Sequence, residues 1–309
     1  MSKPNLTTLL AFGAIYIIWG STYVVLRIGI ETIPPFLLSS VRFFLASVML
    51  LGWSLAKKQA IPGKRSILST AVCGVLMLGG GTVSVAWSEQ FIPSGTAAIV
   101  VTFVPFWFVL LDKKLWNYYF TNKIILVGLL LGFIGVILLV GLTRTDTAGL
   151  NKPGHPAFGI IAILCGGIAW TVGSLYTKYK STEGGLFVKA GIQMFATSVA
   201  CLITSFIFGE LRSFSLSQVS LASVIALLYL ATVGSIVAFV SYLYLLHAHP
   251  PAQVSTYVYV NPLIAVLLGA LIANEAISFV QVFALILILL GVLLVNMPKY
   301  KMFRRLEKL

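Results

Sequence analysis

Residues 91–107 read FIPSGTAAIVVTFVPFW, and residues 248–266 read AHPPAQVSTYVYVNPLIAV. Each stretch opens on a proline (Pro93, Pro250), runs through small and apolar residues and meets a second proline inside a hydrophobic span (Pro105, Pro262). Both pairs are offset by 157 positions. Ser84 with Ser241 and Trp87 with Tyr244 keep that offset. Upstream, Trp19 with Trp170, Arg27 with Lys178 and Arg42 with Gln193 share an offset of 151, and the GVILLV and GVLLVN runs at Gly135 and Gly291 differ by 156. Ordered matches separated by small insertions are the mark of a duplicated unit, here of roughly 150 residues.

Composition sets the solvent. Of 309 residues, 59% are hydrophobic and 9% charged, with a mean hydropathy of +1.01. A water-soluble domain with that content would expose a very large apolar surface, so the chain reads as an integral membrane protein. Its apolar runs are helix-sized rather than alternating, which predicts an all-α class and excludes a barrel. Ten spans are expected, at about 6–26, 34–55, 66–88, 95–111, 123–142, 157–177, 186–208, 221–246, 252–273 and 278–297. The first is too long for a cleavable signal, holds Trp19 and Tyr23, and lacks a small-residue cleavage site.

Lysine and arginine orient the bundle. With the N-terminus inside, sixteen of the 21 basic residues fall at cytoplasmic ends, Arg27, Arg144, Lys152 and Arg212 fall outside, and Arg42 is left within a span. Both termini are then cytoplasmic, the predicted location is the cell inner (plasma) membrane, and the net charge of +13 is explained by topology rather than by nucleic-acid binding. Each copy holds five spans, an odd number, so the second copy starts on the opposite face from the first. The predicted organisation is a first five-helix repeat over 1–142, an extracytoplasmic linker over 143–156 rich in Gly, Pro, Asn and Thr, and a second repeat with a basic tail over 157–309. Inverted repeats suit a transporter, because equivalent motions of the halves expose a midplane site to either face.

The blocks IIWGSTYVVLRIGIETIPPFLLSSVRFFLA (17–46), AWSEQFIPSGTAAIVVTFVPFW (86–107), LLLGFIGVILLVG and PLIAVLLGALIANEAIS (262–278) resemble the ten-helix EamA-type members of the drug/metabolite transporter superfamily. The resemblance runs from about Leu6 to Met297 and implies export of small polar metabolites, amino acids or toxic compounds. The first copy departs from the pattern: Glu275, thirteen residues after Pro262, has Tyr118 as its counterpart after Pro105.

Charge at membrane depth is the sharpest site signal. Arg42 needs a partner, because a buried arginine costs at least about 2.5–3.5 kcal/mol on insertion scales. It reads either as a ligand for a substrate carboxylate or as a structural bridge to Glu31 or Glu89. Trp19 and Tyr23 lie i and i+4 on one face, Ser84 and Trp87 lie i and i+3, and Trp170 and Tyr244 repeat them in the second copy. Tyr257 and Asn261 share a face of the ninth span. These nine residues are the candidate substrate-binding set, with packing between helices or interfacial belts as the alternative. Pro105 and Pro262 are candidate kinks.

The eight acidic residues all fall in loops, tails or span ends. No pair of carboxylates is placed for acid–base catalysis and no P-loop is present, so no enzyme activity and no cofactor is expected. His247 and His249 lack a neighbouring acid or cysteine, and Cys73, Cys165 and Cys201 sit within spans, so no metal site is expected. The reading is a secondary transporter, an exporter of small metabolites or drug-like compounds by facilitated alternating access. Its partners are a small-molecule substrate and the lipid bilayer, and it is a monomer or homodimer. The alternatives are a proton-coupled multidrug antiporter, a non-transporting scaffold and a lipid-modifying membrane enzyme.

Overall fold

A computed structural model describes residues 6–142, 155–180, 183–248, 254, 257–273 and 277–306. Most of the linker, Pro250, His249 and Glu275 lie outside the described residues. Among the described residues there are ten long helices: α1 Leu6–Gly29, α2 Pro35–Ala56, α3 Lys64–Ser88, α4 Ser94–Leu111, α5 Lys123–Leu142, α6 Pro156–Tyr179, α7 Leu186–Ile207, α8 Leu221–Ala248, α9 Tyr257–Ile272 and α10 Phe279–Leu306. Among the described residues there is no strand. Seven of these helices, α1 to α4 and α6 to α8, are long and apolar enough to cross a membrane; the other three carry shorter apolar stretches, Lys123–Leu138, Val260–Ile272 and Phe279–Val295. Their outward faces are leucine, isoleucine, valine and phenylalanine, including Leu10, Leu130, Phe206 and Ile207, as lipid contact demands.

Local chemistry sets the ends. Pro35 and Pro156 occupy the first helical turns of α2 and α6, where their missing N–H is no loss. The Ser220 side chain accepts from the Ser223 N–H at 3.1 Å and caps α8. Gly209, at φ +72°, follows the end of α7 in the left-handed region that glycine enters without strain. α10 continues past the expected end of the last span to Leu306, because Lys, Met, Arg and Leu are good helix formers and nothing in MFRRL stops the helix.

Three helices are irregular. α3 is π-helical over Val75–Thr82, and α8 is π-helical over Leu230–Val237. α4 breaks at Thr102 and Phe103, just before Pro105, which has no N–H to offer the Val101 carbonyl. Pro262 is instead carried inside α9.

Packing relies on small residues, since lipid supplies no hydrophobic force to hold helices together. α5 runs along α10, and α2 along α7. α1 packs on α8 and α9, while α6 packs on α3 and α4. A Cβ added at Gly128 would lie 2.7 Å from the Gly291 carbonyl, so only glycine permits that approach of α5 to α10. Helix hydroxyls are mostly satisfied within their own helix: Ser39 donates to the Pro35 carbonyl at 2.7 Å, Thr171 to Gly167 at 2.8 Å and Thr197 to Gln193 at 2.8 Å. A hydroxyl inside a span therefore does not by itself mark a cavity.

Candidate functional site

A cavity of about 90 Å³ opens between α1, α2, α3, α4, α6, α8 and α9. Its wall is aromatic and aliphatic, broken by a few polar groups. Arg42, 3% exposed, is a cation on that wall.

The setting of Arg42 corrects the expected bridge. Its Nε donates to Ser235 Oγ at 2.8 Å, and its guanidinium carbon stands 4.9 Å from the Phe43 ring centre. Among the described residues no carboxylate pairs with it. Glu31 is exposed, and the Glu89 backbone carbonyl accepts instead from Arg27 Nη1 at 2.6 Å. Arg27 belongs to the last turn of α1 and is buried. Glu89 stands at a span end as expected, yet it is fully buried.

Trp19 sits at the centre of an aromatic cluster. Its ring centre is 5.9 Å from Trp170 and 5.1 Å from Tyr257, both edge-on, and 5.2 Å from Tyr242. Edge-on pairs at such distances each contribute about 0.5–1.5 kcal/mol beyond their buried area. Rings from α1, α6, α8 and α9 thus meet in one cluster against the cavity.

Six of the nine expected residues gather here: Trp19, Tyr23, Arg42, Trp170, Tyr257 and Asn261 all line the cavity. Asn261 has a second engagement: with its amide nitrogen turned toward α1, it donates to the carbonyls of Tyr16 at 2.9 Å and Ile15 at 3.2 Å. The structure places the other three elsewhere. Ser84 donates to the Gly81 carbonyl at 2.7 Å, Trp87 packs its ring 4.8 Å from Phe91, and the Tyr244 hydroxyl lies 3.4 Å from Thr8 Oγ1. Sequence reasoning did not reach Thr22, Gly234, Ser235 or Tyr242. The need of Arg42 for a partner was a signal for Ser235, but the π-helical turn that brings Ser235 round to it has no sequence signature. Among the described residues no group of three or more His, Cys, Asp or Glu gathers as a metal site.

The model of the EamA-like transporter family matches residues 6–141 and again 157–297. The chain belongs to the EamA-like transporter family. Within it, the chain is 40% identical over 292 residues to the uncharacterized inner membrane transporter YedA of Escherichia coli (strain K12), covering 94% of this chain and 90% of YedA. It is 23% identical over 271 residues to the uncharacterized transporter YoaV of Bacillus subtilis, covering 86% and 88% of the two chains. Protein PecM of Dickeya dadantii is 26% identical over 263 residues, covering 84% and 82%. A solved crystal structure matches with a TM-score of 0.65 at 20% identity, covering 96% of this chain and 98% of the other, which is a likeness of fold. The EamA-like chain is a membrane protein, and its relatives YedA and YoaV carry the name of transporter.

Proposed function

We propose that the chain exports small metabolites or drug-like solutes across the plasma membrane, with both termini in the cytoplasm, by facilitated alternating access of two inverted five-helix repeats. The observation that carries this reading is the central cavity itself. It draws on helices of both copies, and the repeat mates Trp19 and Trp170 stand in it together.

Exchanging the copies maps contacts onto contacts, which supports the repeat. Thr22 touches the place of a Gly234 Cβ at 3.1 Å; shifting those positions by 151 and 157 gives Gly173 and Met77, likewise in close contact at 2.7 Å. Gly128 meets Gly291, and their mates at 156, Ala284 and Gly135, also meet. The two π-helical segments begin 155 positions apart. The family model matching twice agrees with the same division.

A proton-coupled antiporter is the second reading, favoured by Glu89, an acid fully buried at the end of α3. Counterflow of labelled amino acids into proteoliposomes, with and without an imposed pH gradient, separates the two. Exchange without a gradient supports the facilitative reading, and accumulation only with a gradient supports the antiporter. A chain that moves neither these nor a wider set of metabolites and drugs is not a transporter.

A further inference from the structure

A buried guanidinium normally brings a carboxylate with it, because uncompensated charge at membrane depth is costly. Arg42 has none among the described residues; its one hydrogen-bond partner there is the neutral hydroxyl of Ser235. The bond goes to Nε, the nitrogen on the stem side of the guanidinium, and leaves the Nη pair as a fork, which is the geometry that meets a carboxylate with two parallel hydrogen bonds. Ser235 is itself buried, at 1% exposure, so its hydroxyl is a fixed post rather than a mobile contact.

The backbone at this point is built for the approach. Ser235 and Gly234 lie within the π-helical turn Leu230–Val237 of α8, and both line the cavity. A π turn inserts residues relative to an α-helix, and each residue in an α-helix turns the chain by about 100°. Relaxation of this segment to regular α-helix would therefore carry Ser235 off the face that meets α2. Gly234 clears the space beside it: a Cβ there would stand 3.3 Å from Arg42 Nη2 and 3.1 Å from Thr22 Cγ2. The hydroxyl holds the stem of the guanidinium and the glycine makes room for its fork.

We infer that Ser235 is a positioning residue that aims the Arg42 fork at a solute carboxylate, so that this one serine on α8 sets the preference of the cavity for carboxylate-bearing over neutral solutes. The inference rests on the cavity being the solute site, and it is tested by binding in detergent, apart from flux. A solute whose carboxylate meets the fork adds a charged partner to the neutral one already on Nε. A neutral amide of the same shape gains no such bond.

The experiment measures Kd by calorimetry for acetate, propionate, butyrate, benzoate and phenylacetate, each against its own amide, on the purified chain. The wild type is expected to bind at least one acid about tenfold or more tighter than its amide, the strength of one charge-assisted hydrogen bond. Ser235→Ala is expected to remove roughly that tenfold preference of acid over amide, and Ser235→Thr, which keeps the hydroxyl, restores it. Should Ser235→Ala fail to fold, Gly234→Ala gives the same reading by crowding the fork from the other side. The inference is overturned if the wild type prefers no acid over its amide, or if Ser235→Ala, or Gly234→Ala in its place, keeps the wild-type preference. Binding with this pattern but no flux in proteoliposomes sinks the transporter reading alone; flux without the acid preference sinks this inference alone.

Discussion

Arg42 on α2 and Gln193 on α7 hold equivalent positions in the two copies, and both are buried, at 3% and 2% exposure. Arg42 reaches a cavity, meets a hydroxyl from α8 and keeps its fork clear. Gln193 packs against α3 at Gly74, where any Cβ would overlap its backbone, and its Oε1 has no hydrogen-bond partner among the described residues. The two positions thus differ in setting: Arg42 faces the cavity, and Gln193 lies at a close helix approach.

The largest effect follows from breaking the packing side. Gly74→Val puts two methyl groups into the Gln193 backbone, an overpacking that costs about 3 kcal/mol, and the chain should fail to yield a monodisperse, folded protein. Its counterpart Gly13→Val, where a Cβ would meet nothing within 4 Å, should leave the melting temperature unchanged. Equal behaviour of the two variants would mean that close helix approach at Gly74 does not hold α3 to α7.

Next comes the chemical side. Arg42→Gln makes the first copy resemble the second. Because no carboxylate is left behind unpaired among the described residues, folding should survive with little change in melting temperature, while solute affinity falls by roughly 10- to 100-fold, the range for hydrogen bonds to a charged group. Collapse of folding would assign Arg42 to structure and return the comparison to two packing positions. Trp170→Ala should cost less in binding than Arg42→Gln but more in stability, because it removes ring contacts to Trp19 and Tyr242 at 5.9 and 5.4 Å, each worth about 1 kcal/mol.

How much of this was legible follows from what each signal measures. Hydropathy is a property of single segments, so the helices were readable from sequence. Some mates share their fate, unlike Arg42 and Gln193: Trp19 and Trp170 both enter the cavity, while Trp87 and Tyr244 both stay out of its lining. The period therefore finds pairs without telling which face they take. In α8 the choice between Tyr242 and Tyr244, two residues apart and on opposite sides of a helix, depends on a π-helical turn upstream that changes the phase of everything after it. Hydroxyls misled for a different reason. Ser84 satisfies itself on the Gly81 carbonyl one turn earlier and needs no cavity.

The smallest expected effect is the sharpest check on where the site lies. Tyr244 was chosen from sequence as a binding residue beside Tyr257, and a Tyr→Phe change removes the same single oxygen from either. Tyr257 lines the cavity at 7% exposure, and its ring stands against Trp19. The Tyr244 hydroxyl has only a long contact of 3.4 Å to Thr8 Oγ1, away from the cavity. Tyr244→Phe should therefore change flux less than about twofold, since a weak neutral hydrogen bond contributes little in net terms. Tyr257→Phe should lower affinity severalfold for any solute that bonds its hydroxyl. If Tyr244→Phe proves the more damaging of the two, solute passes along the other face of α8, and the asymmetry between Arg42 and Gln193 would have to be explained by packing alone.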